Sequence, residues 1–148
     1  MFFHGPGFEG GRTVDGLVSL VDIPATILDC AGIEPPGHFR GRALGKMIGD
    51  PHAAWEDCVF IQISESQVGR CVRTTKWKYA VRADANVWAD SGAEIYYEDC
   101  LYDLENDPHE RNNLVEDTAC ETVRGELAAL LLRKMKQKIP LRKLDNTG

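Results

Sequence analysis

Between Ser66 and Ala83 stand five basic residues, Arg70, Arg73, Lys76, Lys78 and Arg82, and no acidic one, in a chain whose net charge is −6. Such a stretch can hold an anion, and arginine suits planar, bidentate contact with an acidic group. Just before it, Ser64-Glu65-Ser66-Gln67-Val68-Gly69-Arg70 is dense in hydrogen-bonding groups. Turns of this kind carry recognition more often than strand interiors do. Ser66, Gln67, Arg70 and Arg73 are therefore the candidate substrate-binding residues. The competing reading is a solvated strand face, its charges paired with acids elsewhere, which also guards a sheet edge against aggregation.

Other chemistry-bearing residues point to structure. Cys30, Cys58, Cys71, Cys100 and Cys120 are odd in number and include no Cys-x-x-Cys pair, so neither a zinc site nor a disulfide framework is indicated. They read as buried or half-buried thiols of a reducing compartment, which favours the cytoplasm. His4, His38, His52 and His109 are scattered, without metal-ligand spacing. Asp103, Glu105 and Asp107 beside Arg111 could form paired carboxylates, but the turn residues around Pro108 favour a hydrogen-bonded turn. The glycines from Gly5 to Gly16 fit neither GxGxxG nor a P-loop. No catalytic residue and no metal ligand is assigned.

The elements that must position these residues follow from pattern. Hydrophobic content of 43% and charged content of 27% are those of an ordinary soluble domain. No apolar run is long enough to span a membrane, no signal peptide is visible, and the acidic balance argues against nucleic acid. Asp22 to Ala31 reads as a short helix with Asp22 as N-cap, Pro24 in the first turn, Gly32 at the stop and Ile23, Ile27, Leu28 and Ala31 as its buried stripe. Residues 34–52 read as an irregular link. Val59–Ile63, Val68–Thr74, Trp77–Val81 and Tyr97–Leu104 read as strands, the second and third forming an antiparallel hairpin. Trp77, Tyr79 and Val81 share one face; with Tyr102, these aromatics suit a core better than a sugar-stacking platform. Residues 84–94 read as a surface loop. Thr118 and Glu121 have the spacing of a capping box, ahead of a helix striped by Val123, Leu127, Leu130, Leu131 and Met135. Arg133, Lys134, Lys136 and Lys138 fill its last turns, and Pro140 ends it. The expected fold is α+β: a small antiparallel sheet of about four strands packed against a C-terminal helix, preceded by a strand end and a helix.

Leu101-Tyr102-Asp103-Leu104-Glu105-Asn106-Asp107-Pro108-His109-Glu110-Arg111-Asn112-Asn113-Leu114 resembles a segment near the C-terminus of the sulfatases, in the subfamily of the sulfoglucosamine sulfohydrolases. Five further pieces resemble the same family in the same order. They are the strand end and loop Phe2-Phe3-His4-Gly5-Pro6-Gly7, the helix from Val18 to Gly32, the loop Gly41-Arg42-Ala43-Leu44, the strand start at Trp55-Glu56-Asp57 with Val59-Phe60, and the hairpin from Val72 to Tyr79.

The resemblance implies that residues 1–50 are the C-terminal edge of a larger catalytic α/β domain and 51–148 the C-terminal subdomain. It also implies, for that catalytic domain, a formylglycine made within a Cys/Ser-x-Pro-x-Arg motif, and a bound calcium. No Cys or Ser of this chain begins such a motif, so no cofactor is expected here. The expectation is a C-terminal portion of a hydrolase of sulfate esters, with sulfated sugars as the candidate substrates, inactive alone. Its partner would be the missing N-terminal catalytic domain, or a second copy covering the orphan helix face. The alternatives are a free-standing binding module, an enzyme with an unrecognised site, or a relative acting on phosphate or phosphonate esters.

Overall fold

Alternating side chains and one striped helix account for most of the structure from Cys58 onward. The computed structural model describes residues 1–49, 55–84, 92–135 and 141–142. The boundary expected at 50/51, the middle of the 84–94 loop, and Lys136, Lys138 and Pro140 lie outside the described residues. The chain divides into two compact units, Met1–Asp57 and Cys58–Gly148.

In the second unit β1 (Cys58–Ile63), β2 (Val68–Thr74), β3 (Trp77–Ala83) and β4 (Tyr96–Asp103) pair in sequence order, each antiparallel to the next. The register aligns Phe60, Val72, Tyr79 and Leu101 in one row across all four strands. Side chains two apart share a face, so Val68 and Val81 join that row in the core, and a register shift opposite Ala80/Val81 brings Tyr96 of β4 to the same face. A further short strand, β5 (Leu141–Arg142), runs parallel to β4. Two residues carry no alternation, so no pattern marks this strand in the sequence.

The helix that covers this face, labelled α3 below, spans Glu121–Met135. Leu127 and Leu131 are buried against the sheet; Val123, Leu130 and Met135 are half-buried around them. The expected cap shifts by one residue. Asp117, not Thr118, is the cap: its Oδ1 accepts a hydrogen bond from the Ala119 amide at 2.8 Å. Thr118–Cys120 form a 3-10 turn, so the α-helix starts only at Glu121. A carboxylate is a stronger acceptor than a hydroxyl, and its position one residue earlier sets the frame.

In the first unit two short helices form, α1 (Asp22–Cys30) and α2 (Gly45–Gly49). Met1 to His4 form no ladder; a bridge between Gly5 and Phe8 is the β-pairing here among the described residues. A strand end needs a neighbouring strand to register as one. Gly32, at φ 70°, closes α1, its amide bonding to the Asp29 carbonyl at 3.0 Å.

The inner face of α1 differs from the expected stripe. Asp22, Ala25 and Thr26 are buried, while Ile27 is 61% exposed and Ile23 and Leu28 are half-buried. Nor is Asp22 the cap, since it is the first helical residue. Its carboxylate accepts from the amides of Ser19 at 2.8 Å and Arg42 at 3.0 Å. Thr26 Oγ1 donates to the Asp22 carbonyl at 2.7 Å and accepts from the Leu44 amide at 3.0 Å. These bonds dock the 41–44 loop on the polar side of α1, and the aliphatic side is left outward.

The docking leaves no room at Gly41. A Cβ there would lie 1.8 Å from the Val21 carbonyl oxygen. Gly41→Ala should therefore destabilise the first unit by about 1–3 kcal/mol, as overpacking does. A melt in which the variant matches the unsubstituted chain would show that the loop does not close on α1 in this way.

Candidate functional site

Three of the four sequence candidates, Ser66, Gln67 and Arg70, lie at one end of the sheet, and Arg73 lies towards the other. β1 and β2 are joined through residues 64–67, closed by the pair Ile63 and Gly69. Ser66 and Gln67 are exposed on this turn. Arg70 is not: it is buried on the α3-facing side, in register between Gln62 and Val81. Its Nη1 donates to the carbonyls of Ile63 at 3.2 Å and Gly69 at 2.7 Å, and its guanidinium carbon lies 5.6 Å from the centre of the Tyr96 ring. Arg73 is exposed on the opposite face of the sheet, in register between Val59 and Lys78. The structure thus brings Ser66 and Gln67 together above Arg70 and sets Arg73 apart. Residues three apart on a strand must face opposite ways, and that separation was readable from numbering alone.

The basic stretch is largely compensated. Lys76 pairs with Glu105 at 3.1 Å, Arg82 with Asp99 at 3.1 Å, and Lys78 with Glu110. Partial burial pulls the Lys78 pKa down, but the bond and charge of Glu110 outweigh it and the net direction is up. Beneath this face, burial pushes the Cys71 and Cys100 thiols up to about 11, so both stay protonated near neutral pH. That is the behaviour of packing residues rather than of nucleophiles.

The carboxylates of the 101–114 segment hold turns, as the sequence indicated. Asp103 Oδ1 accepts from the amides of Glu105 at 3.1 Å and Asn106 at 3.3 Å. Asp107 Oδ2 accepts from the amides of Arg111 at 2.7 Å and Asn112 at 2.8 Å. Arg111 thus contributes its backbone N–H to this turn. Asn113, passed over in the sequence, is a central brace. Its Oδ1 accepts from the amides of Leu101 at 3.0 Å and Val115 at 3.1 Å, and its Nδ2 donates to the Asp99 carbonyl at 3.0 Å.

A buried ion pair was also missed. Arg124 Nε lies 3.4 Å from Glu98 Oε1, which also accepts the Tyr79 hydroxyl at 2.9 Å, and Arg124 Nη1 donates to the Val115 carbonyl. Burial, then the Glu98 charge, push the Tyr79 phenol far above its ordinary pKa, so it acts as a donor. The available signal was position: Arg124 falls three residues before Leu127 and seven before Leu131, on the apolar stripe.

The first unit contains an apolar groove of about 370 Å³, lined by Phe2, Phe3, Phe8, Val14, Leu44 and Met47 among others. Phe3 and Phe8 stack at 5.1 Å, and Phe2 is 89% exposed.

Residues 1–138 match the family described as N-sulphoglucosamine sulphohydrolase, C-terminal. The chain belongs to this sulfatase family. Over 124 residues it is 32% identical to arylsulfatase K of Homo sapiens, covering 77% of this chain and 22% of that protein. Over 136 residues it is 27% identical to N-acetylglucosamine-6-O-sulfatase of Bacteroides thetaiotaomicron, covering 87% of this chain and 23% of that protein. Among solved structures, BT4656 in complex with its substrate D-glucosamine-2-N,6-O-disulfate is similar with a TM-score of 0.61 at 23% identity, over 78% of this chain and 23% of that one. This sulfatase C-terminal domain therefore spans less than a quarter of the length of these relatives.

The formylglycine and calcium implied by the sulfatase family do not fit the residues described here. No Cys or Ser stands in a Cys/Ser-x-Pro-x-Arg run. Among the described residues no three His, Cys, Asp or Glu gather as metal donors. The carboxylates of Asp22, Asp103 and Asp107 already accept backbone N–H groups. These residues supply no part of a step through either group.

Proposed function

We propose that this chain is the C-terminal portion of a hydrolase of sulfate esters on sugars, and that it is inactive alone. The observation that carries the reading is the match to a C-terminal sulfatase family along residues 1–138. The outward apolar residues of the first unit support it. Phe2 at 89%, Leu20 at 74% and Ile27 at 61% exposure are a surface that a larger catalytic domain, or failing that a second copy, would cover. The nucleophile and calcium would then belong to that domain. The sulfated glucosamines on which two similar proteins act favour a sulfated sugar as the ester. The odd cysteine count favours a reducing compartment.

In this reading Ser66 and Gln67 frame the sugar, with Arg70 beneath them and Arg73 on the far face of the sheet. The isolated chain should not turn over an aryl sulfate, with or without calcium. Metal-dependent hydrolysis that survives repurification would overturn this. In the enzyme extended by its catalytic domain, Gln67→Ala should lower kcat/KM for a sulfated oligosaccharide and leave a small aryl sulfate unaffected. Remote contacts position large substrates and are lost only to them. Equal losses on both substrates would contradict a recognition role for the turn.

A further inference from the structure

We propose that Arg70 is a positioning residue that clamps the 64–67 turn and links it to the neighbouring loop before β4. This deepens the proposed function, because it rests on the reading that the turn faces substrate.

The β1–β2 turn and the β3–β4 connection leave the same end of the sheet. The register shows this directly: Val68 at the start of β2 pairs with Ala83 at the end of β3, and Arg82 pairs with Tyr97 at the start of β4. One guanidinium nitrogen, Nη1 of Arg70, donates to the carbonyl of Ile63, the last residue of β1, and to that of Gly69 just past the turn. The two carbonyls flank the turn from opposite strands, so a single donor fixes its width. The guanidinium then lies over the Tyr96 ring. The Tyr96 hydroxyl in turn accepts the Ala93 amide at 3.2 Å. A Cβ at Gly92 would meet Arg70 Nη2 at 3.5 Å and the Tyr96 hydroxyl at 3.8 Å, so this loop runs close over both side chains. Tyr96 is 1% exposed and Arg70 8% exposed, which excludes Arg70 from broad contact with a sugar.

Arg70 therefore acts through Ser66 and Gln67, which it holds at the tip. A lysine cannot replace it. Its compact ammonium lacks the planar face that lies over the Tyr96 ring while Nη1 holds both carbonyls. Residues of this kind keep a recognition group within the narrow tolerance that binding needs.

The test is amide hydrogen exchange on the full 148-residue chain. Arg70→Lys and Arg70→Met should raise exchange at the pair that closes the turn, Ile63 and Gly69, about tenfold, the loss expected from one charged-donor bond. Strand amides from 71 to 81 should stay unchanged. Tyr96→Phe, which removes only the hydroxyl, should raise exchange at Ala93 and leave the turn alone. Unchanged exchange at Ile63 and Gly69 in Arg70→Lys, or exchange raised throughout the sheet, would overturn the clamp. In the extended enzyme Arg70→Lys should raise KM for a sulfated oligosaccharide with kcat retained, and leave an aryl sulfate unaffected. A loosened turn with unchanged KM would uphold the clamp and overturn the reading of the turn as substrate-facing.

Discussion

Arg124→Met lowers the stability of the sheet-and-helix unit by about 3–5 kcal/mol, the cost of removing one partner of a buried ion pair. Arg124 and Glu98 side chains are 7% and 14% exposed, so water does little to replace either. Without the guanidinium, Glu98 keeps the Tyr79 hydroxyl alone among the contacts described above. The Val115 carbonyl loses its donor as well. Glu98→Gln in the same chain should recover part of the loss, because the uncompensated charge is what costs most. Urea melts of the two single variants and the double variant read this out. A single Arg124→Met variant within experimental error of the original chain would show that the pair is solvated in solution.

Leu131→Ala should cost about 2–5 kcal/mol, the range for truncating a large aliphatic side chain in a packed core. Leu131 is 0% exposed and meets the row formed by Val72, Tyr79 and Leu101. Tyr79 and Leu101 sit opposite each other on the interior strands β3 and β4, so a hole beneath them cannot collapse without moving the ladder. Leu130→Ala, one residue away and half-buried, should cost clearly less. Thermal melts that rank the two variants the other way would turn α3 by about 100° per residue from the orientation described.

The sheet was legible because its code is short. Trp77, Tyr79 and Val81 alternate with Lys78 and Arg82, and a period of two leaves little freedom in choosing the inner face. Helix faces were legible where aliphatics dominate the packing, even with Arg124 buried on the same stripe. For α3 the stripe through Leu127 and Leu131 held. In α1 the stripe failed, because Asp22 and Thr26 bind the backbone of a loop twenty residues away. No local pattern announces such a partner. The cap failed more narrowly: Asp117 and Thr118 are both good caps, and only the 3-10 turn distinguishes them. At the candidate site, residue types were apparent but their roles were not. Arg70 reads as an anion contact by composition and is, by burial, a brace for the turn. Asn113 looked like one polar residue among many, and its three hydrogen bonds appear only once β4 and the following loop are folded together.

The chain is proposed to complete a longer sulfatase. The most direct measurement is the reading of the coding DNA immediately upstream of Met1. The expected result is an open frame that continues through a catalytic segment with a Cys/Ser-x-Pro-x-Arg motif. A stop codon in frame just before Met1, with no such segment, would contradict it and return the chain to a free-standing module.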